Sequence, residues 1–269
     1  KGALYSVKDG IFMVKTLMKS VREYKKDSLI TPVLVIGEVV METLIPVLMA
    51  NLIDYGIDGG NMNYVVKMGL VLLLSAFASL FFGVAAGKTA AVASTGFAKN
   101  LRKDMYYNVQ NFSFSNIDKF STASIVTRLT TDVTNVQNAY QMIIRIVVRA
   151  PMMLIFSLLM SFRIDARLSL IFVVALPILA VGLFFIIRKA HPLFNRVFKI
   201  YDKLNGVVQE NLRGIRVVKS FVREEHEKEK FGKISNEIYQ TFSKAEKTIA
   251  FNMPLMQVAM YAVMLLISW

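Results

Sequence analysis

The 269-residue sequence contains no cysteine, which excludes disulfides and thiolate-bound metals. Its two histidines, His191 and His226, lie in different polar stretches and have no ligand spacing. No G-x-x-x-x-G-K-[ST] occurs, so the chain has no loop to cradle a nucleotide's phosphates. H-E-x-x-H and G-x-S-x-G are missing as well. Two long runs, 68–87 and 168–187, lack charge altogether, and about 20 apolar residues suffice to cross a bilayer.

What is present fits those runs. Hydrophobic residues make up 55% of the chain and the formal net charge is +13, with mean hydropathy +0.48. A basic chain with a polar body would suggest nucleic acid. Here the body is too apolar, and the basic residues sit between apolar runs. That arrangement indicates a membrane protein with cationic segments on one side and no nucleic-acid partner. The predicted fold class is all-α, a polytopic helix bundle in the lipid bilayer.

Along the chain, 11–26 is amphipathic. Val14, Leu17, Met18 and Val21 share one face, and Lys15, Lys19, Arg22 and Lys26 another. This suits a helix lying in the interface. Spans are expected at 28–53, 65–88, 139–162, 167–188 and 248–269, with long polar helical extensions at 89–138 and 189–247. Gly83, Gly87, Ala91 and Thr95 recur every four residues, a small-residue stripe suited to close helix approach. Stripes from Phe194 to Ile215 and from Phe231 to Ile249 make the second extension a helical excursion that turns near Gly214 and returns. Each limb would reach about 40 Å. By the positive-inside rule the N-terminus and both extensions are cytosolic. The chain starts at Lys1, with a few native residues expected before it, and ends after five crossings.

Four charges fall inside spans. Glu38 and Glu42 share a face of the first, and Arg145 and Arg149 a face of the third. Glu42 precedes Ile53 by 11 residues and Arg149 precedes Phe162 by 13. Counting helical rise, Glu42 lies level with Arg149, and Glu38 with Arg145, within roughly 3 Å. Each charge facing lipid would cost about 2.5–3.5 kcal/mol, so they must face helices or water. Two accounts stand: the residues pair and fix packing, or they line a pathway and touch substrate.

Two tracts together resemble a known family: SFSNIDKFSTASIVTRLTTDVTNVQ at 113–137 and QENLRGIRVVKSFVREEHEKEKF at 209–231. They are similar to the transmembrane domain of ABC exporters. IIRIVVRAPMMLIF at 143–156 resembles bacterial multidrug-type exporters that often work as heterodimers. Ala123 and Ser124 depart from the family, which usually has glycine and then an acid there.

The resemblance implies a substrate-translocating half-transporter in a bacterial plasma membrane. It implies six spans and a second subunit, with a heterodimer favoured. ATP and Mg would bind a cytosolic nucleotide-binding domain that follows the sixth span. No cofactor and no ATPase site are expected in this chain itself, and the implied cargo is a small amphipathic or drug-like molecule. Two coupling helices are implied, around Ser115, Asn116, Ile117 and Asp118 and around Asn211, Leu212, Arg213, Gly214 and Ile215. Gly214 would permit a sharp approach to the partner, or simply end a helix. A secondary transporter or channel, or a membrane scaffold, is the alternative. Short loops would mark the first, and the second would not need mid-membrane charges.

Overall fold

In the computed structural model, residues 7–112 and 122–269 are described, with side chains from Phe12 onward. Among them every regular element is helical. The chain divides into two units, Lys1–Met160 and Ser161–Trp269. Five helical stretches are long and apolar enough to cross a membrane.

In the first unit, α1 spans Val7–Met18. A 3-10 turn at Lys19–Tyr24 follows, broken by Arg22 at φ 41°. The helix α2 runs Lys25–Asn51 and closes in a π turn, Leu52–Ile57. Gly60, at φ 62°, supplies the left-handed residue before the next helix. The helix α3 covers Met62–Gln110, and the Asn61 side chain accepts its Tyr64 N–H at 3.1 Å, satisfying one free donor of the first turn. A single helical stretch, α4, spans Thr122–Ile164, with π turns at Arg128–Asp132 and Ile143–Val147. Its last turn leads into the second unit.

The core of this unit gathers small and aromatic side chains. Ala90, Ala93 and Phe97 of α3 pack with Val133, Tyr140 and Ile144 of α4. Phe97 and Tyr140 stack with ring centroids 4.7 Å apart, and the Tyr140 hydroxyl donates to Ser28 at 2.7 Å. The buried seam of α3 runs through Ala86, Ala90, Ala93 and Phe97, whereas Ala91 and Thr95 are exposed. The expected stripe of Gly83, Gly87, Ala91 and Thr95 is therefore rotated off the true seam. Its glycines hold half-buried positions only at its start.

In the second unit the Asp165 carboxylate accepts the Arg167 and Leu168 N–H groups at 2.7 and 3.1 Å. That cap starts α5, Ala166–Ser220, a 55-residue helix about 80 Å long. The helices α6, Glu224–Ala250, and α7, Asn252–Ser268, follow. The break at Phe251 lies three residues before Pro254, whose ring clashes with the carbonyl four residues back, at 250, and interrupts the helix there.

The turn between α5 and α6 corrects the sequence reading. The helix passes through Gly214 without interruption, and the reversal falls at Phe221–Arg223, with Val222 at φ 51°. A glycine inside a helix costs only about 1 kcal/mol, too little to end it among Leu212, Arg213 and Arg216. The helix-ending role of Gly214 fails for the same reason. Along the limbs Val197, Ile200 and Ala245 are buried, but Phe198 and Leu212 are exposed. Two antiparallel helices bury one narrow seam, so the remaining apolar positions of the expected stripes stay uncovered.

Candidate functional site

Within the first unit, α2 and α4 bring three of the four intramembrane charges together. Arg149 Nη1 donates to Glu38 Oε1 at 2.8 Å. Arg149 Nη2 donates to both carboxylate oxygens of Glu42, at 2.7 and 2.8 Å. Glu38 and Glu42 reach the same guanidinium because four residues on a helix return to one face. The planar fork of arginine can serve both carboxylates, which a lysine ammonium would do with poorer geometry. Glu38 is 8% exposed, and its Oε2 has no hydrogen-bond partner among the described residues.

Gly83 of α3 lets this carboxylate in. A methyl group at Gly83 would come 3.1 Å from Glu38 Oε1 and 3.4 Å from its Cδ. One turn on, a methyl at Gly87 would sit 3.8 Å from Arg145 Nη1. The two glycines thus line up with the charged side chains of α2 and α4, a role their spacing suggested only as helix packing.

Arg145 does not take the expected place opposite Glu38. The π turn Ile143–Val147 contains it. Its guanidinium lies near Gly87 of α3 instead. Arg149 alone serves both carboxylates, and among the described residues no ion pair involves Arg145.

A second polar cluster, not anticipated from the sequence, fixes the first turn against α3. Asp104 accepts from the Ser20 hydroxyl at 3.0 Å and from Arg22 Nη2 at 2.8 Å. Asn100 Nδ2 donates to the Ser20 carbonyl at 3.1 Å and to Glu23 at 3.3 Å. These partners are about 80 residues apart in sequence and carry no local signal. The left-handed Arg22 backbone is held by its own side chain in this cluster.

In the second unit the tip of the α5–α6 pair carries the other candidate residues. Asn211, Leu212, Arg213, Gly214 and Ile215 lie within α5, five to nine residues before its end at Ser220. Asn211 Nδ2 donates to Glu227 at 3.1 Å, and Lys230 to Glu210 at 2.9 Å. Leu212, Ile215 and Phe231 line a cavity of about 430 Å³ between the limbs. Beyond it the tip shows apolar groups to solvent: Phe221 is 73% and Val222 81% exposed. A β-branched residue in the left-handed region is a strained position. The other coupling residues, Ser115, Asn116, Ile117 and Asp118, lie outside the described residues.

Comparison with known proteins agrees with this architecture. The family model for the ABC transporter transmembrane region matches residues 28–269. YfiB of Bacillus subtilis (strain 168), described as an ABC transporter ATP-binding protein, is 33% identical over 237 residues, 88% of this chain and 41% of that protein. The ABC transporter ATP-binding protein Rv1273c of Mycobacterium tuberculosis is 26% identical over 264 residues, 96% of this chain and 44% of that protein. The ATP-dependent lipid A-core flippase of Pseudoalteromonas translucida is 24% identical over 255 residues, covering 95% and 44%. The chain thus spans less than half the length of these relatives.

Proposed function

This chain belongs to the ABC transporter transmembrane region family, and we propose that it forms the substrate-translocating part of an ATP-driven exporter. The observation that carries the proposal is the α5–α6 excursion. From Arg188 to Ser220, α5 continues about 50 Å past its apolar run, and α6 returns alongside it. A secondary transporter or channel has no use for a polar two-helix arm of that length. An arm with exposed Phe221 and Val222 at its end suits docking on a separate domain that moves it. Nucleotide-binding domains are the partners of that class, and Asn211–Ile215 would lie at the seat. A nucleotide does not fit this chain itself: the sequence has no phosphate-cradling loop, and the described residues hold no acidic or histidine cluster for a metal. ATP and Mg would bind the partner domains.

The N-terminus and the arm face the cytosol of a bacterial plasma membrane in this reading, because Lys and Arg concentrate there and the loop at 54–63 has neither. A second half-transporter subunit completes the pathway, and the tract at 143–156 favours a heterodimer. The cargo is a small amphipathic molecule; the lipid cargo named for two relatives supports that chemistry. Full-length protein in liposomes should move an amphipathic dye when ATP is supplied. Replacing Phe221 and Val222 by Asp should abolish transport while the protein still inserts. Movement driven by an ion gradient without ATP would favour a secondary transporter instead.

A further inference from the structure

The second unit holds a trough between α5 and α7 that ends at two lysines. At Gly182 the two helices are in close contact: a methyl there would come 2.8 Å from Leu255 Cδ2. Lys189 lies seven residues beyond Gly182 on α5, and Lys247 eight residues before Leu255 on the returning chain. The helices are antiparallel, so both lysines stand about 10–12 Å from that contact on the same side, at one level. They border a single cavity of about 620 Å³, walled below by Phe185, Ile186, Phe251 and Leu255. A second cavity of about 500 Å³ shares Leu255 and Val258 with it and is lined by aliphatic side chains. The trough therefore runs from a dibasic mouth into a wholly apolar channel.

The mouth lies at the membrane boundary. The charge-free run 168–187 ends immediately before Arg188 and Lys189, and the final apolar run begins just after Lys247. Among the described residues neither lysine has an ion-pair or hydrogen-bond partner. Two unpartnered ammonium groups above an acyl-sized apolar trough match one ligand chemistry: a phosphate anion carrying long hydrocarbon chains. Basic pockets between membrane helices on the cytoplasmic side bind anionic headgroups in this way. The volume is in the range of ligand clefts, roughly 300–1,000 Å³.

We propose that Lys189 and Lys247 hold the phosphate of an anionic phospholipid of the inner leaflet, with an acyl chain laid along the trough past Leu255 and Val258. The leaflet rests on the orientation proposed above. Bound there, the lipid fills the cavity between α5 and the α6–α7 junction beside Phe251.

Native mass spectrometry of the full-length protein, titrated with phosphatidylglycerol and phosphatidylcholine of identical chains, tests the site. Phosphatidylglycerol should be retained preferentially. The double variant Lys189→Gln and Lys247→Gln should lose roughly ten- to thirtyfold of that affinity, the worth of two lysines near an anionic surface. The limb variant Lys203→Gln with Lys233→Gln should keep it, as should the melting temperature of each variant. Val258→Trp, which fills the trough and leaves the charge intact, should also weaken retention. Wild-type affinity in the lysine double variant overturns the proposal. So does equal competition by soluble glycerol phosphate, which would mark a site for the free anion. A membrane-impermeant maleimide on Lys189→Cys reads the leaflet separately. Labelling from the cytosolic side without lipid preference overturns the lipid site alone; labelling from the outer side overturns the leaflet and the proposed orientation.

Discussion

Arg149 grips Glu42 through both carboxylate oxygens, at 2.7 and 2.8 Å, while its other terminal nitrogen holds Glu38. One cation thus ties two acids of α2 to α4. Removing it leaves two carboxylates facing each other in an apolar surround. Arg149→Gln should therefore destabilise the protein by about 2 kcal/mol or more, short of the roughly 3–5 kcal/mol for breaking a fully buried pair, because its side chain is 34% exposed. Arg145→Gln should cost far less, since no ion pair among the described residues involves it. Glu42→Gln combined with Arg149→Gln should recover part of the loss. Thermal unfolding of the solubilised protein measures all three variants against the wild type. If stability stays level while the range of transported molecules shifts, the residues line the pathway instead.

Gly96 makes a sharper steric prediction. A methyl group there would run into the Tyr24 ring, which packs on the buried surface of α3. Gly96→Ala should cost about 1–3 kcal/mol, the usual penalty of overpacking. Adding Tyr24→Ala should return part of it by vacating the space. A Gly96→Ala protein that melts at the wild-type temperature would show that the first turn is free to move off α3.

The same residues mark what was legible in the sequence. The charge-free runs at 68–87 and 168–187 fall inside α3 and α5, because no polar side chain interrupts them. The acid pair Glu38 and Glu42 was legible because a spacing of four survives in any α-helix. Its partner was only half legible, because spacing and depth alone do not say which of Arg145 and Arg149 the two acids take. The reversal at Val222 was missed for a related reason: glycine advertises a turn, and a strained valine does not. Long-range pairs such as Ser20 with Asp104 follow from tertiary packing that no local pattern encodes.

Acid should loosen the tip turn. Glu224 stands at the start of α6 on the polar arm, far from the apolar spans. Its carboxyl is held below the ordinary range, first by its own backbone N–H, then, against the opposing effect of burial, by Lys219 across the turn. Lys219 Nζ lies 3.4 Å from its Oε1. A carboxyl lowered on folding stabilises the fold above its unfolded value, about 4.3, and that contribution is lost as pH falls through the lower folded one. Amide exchange at 219–227, corrected for its intrinsic pH dependence, should rise across that window. Glu224→Gln should remove the step. A step of the same size in Glu224→Gln would assign it to another acid.

Gly214 separates the two uses of the arm. It sits inside α5, and a methyl group there would meet nothing within 4 Å. Gly214→Ala should consequently raise stability by about 0.5–1 kcal/mol through helix propensity alone. Gly214→Trp should also fold, because the Cβ position is open and the ring can take a rotamer away from α6. If the tip seats in a nucleotide-binding domain, however, that ring occupies the space the partner needs. In full-length protein Gly214→Trp should then leave membrane insertion and ATP hydrolysis in place while transport falls at least tenfold. Gly214→Ala serves as the control, since a single methyl lengthens the surface by little and should preserve transport. Normal transport by the Trp variant would remove Asn211–Ile215 from the coupling surface and leave Phe221 and Val222 as the part of the tip that docks.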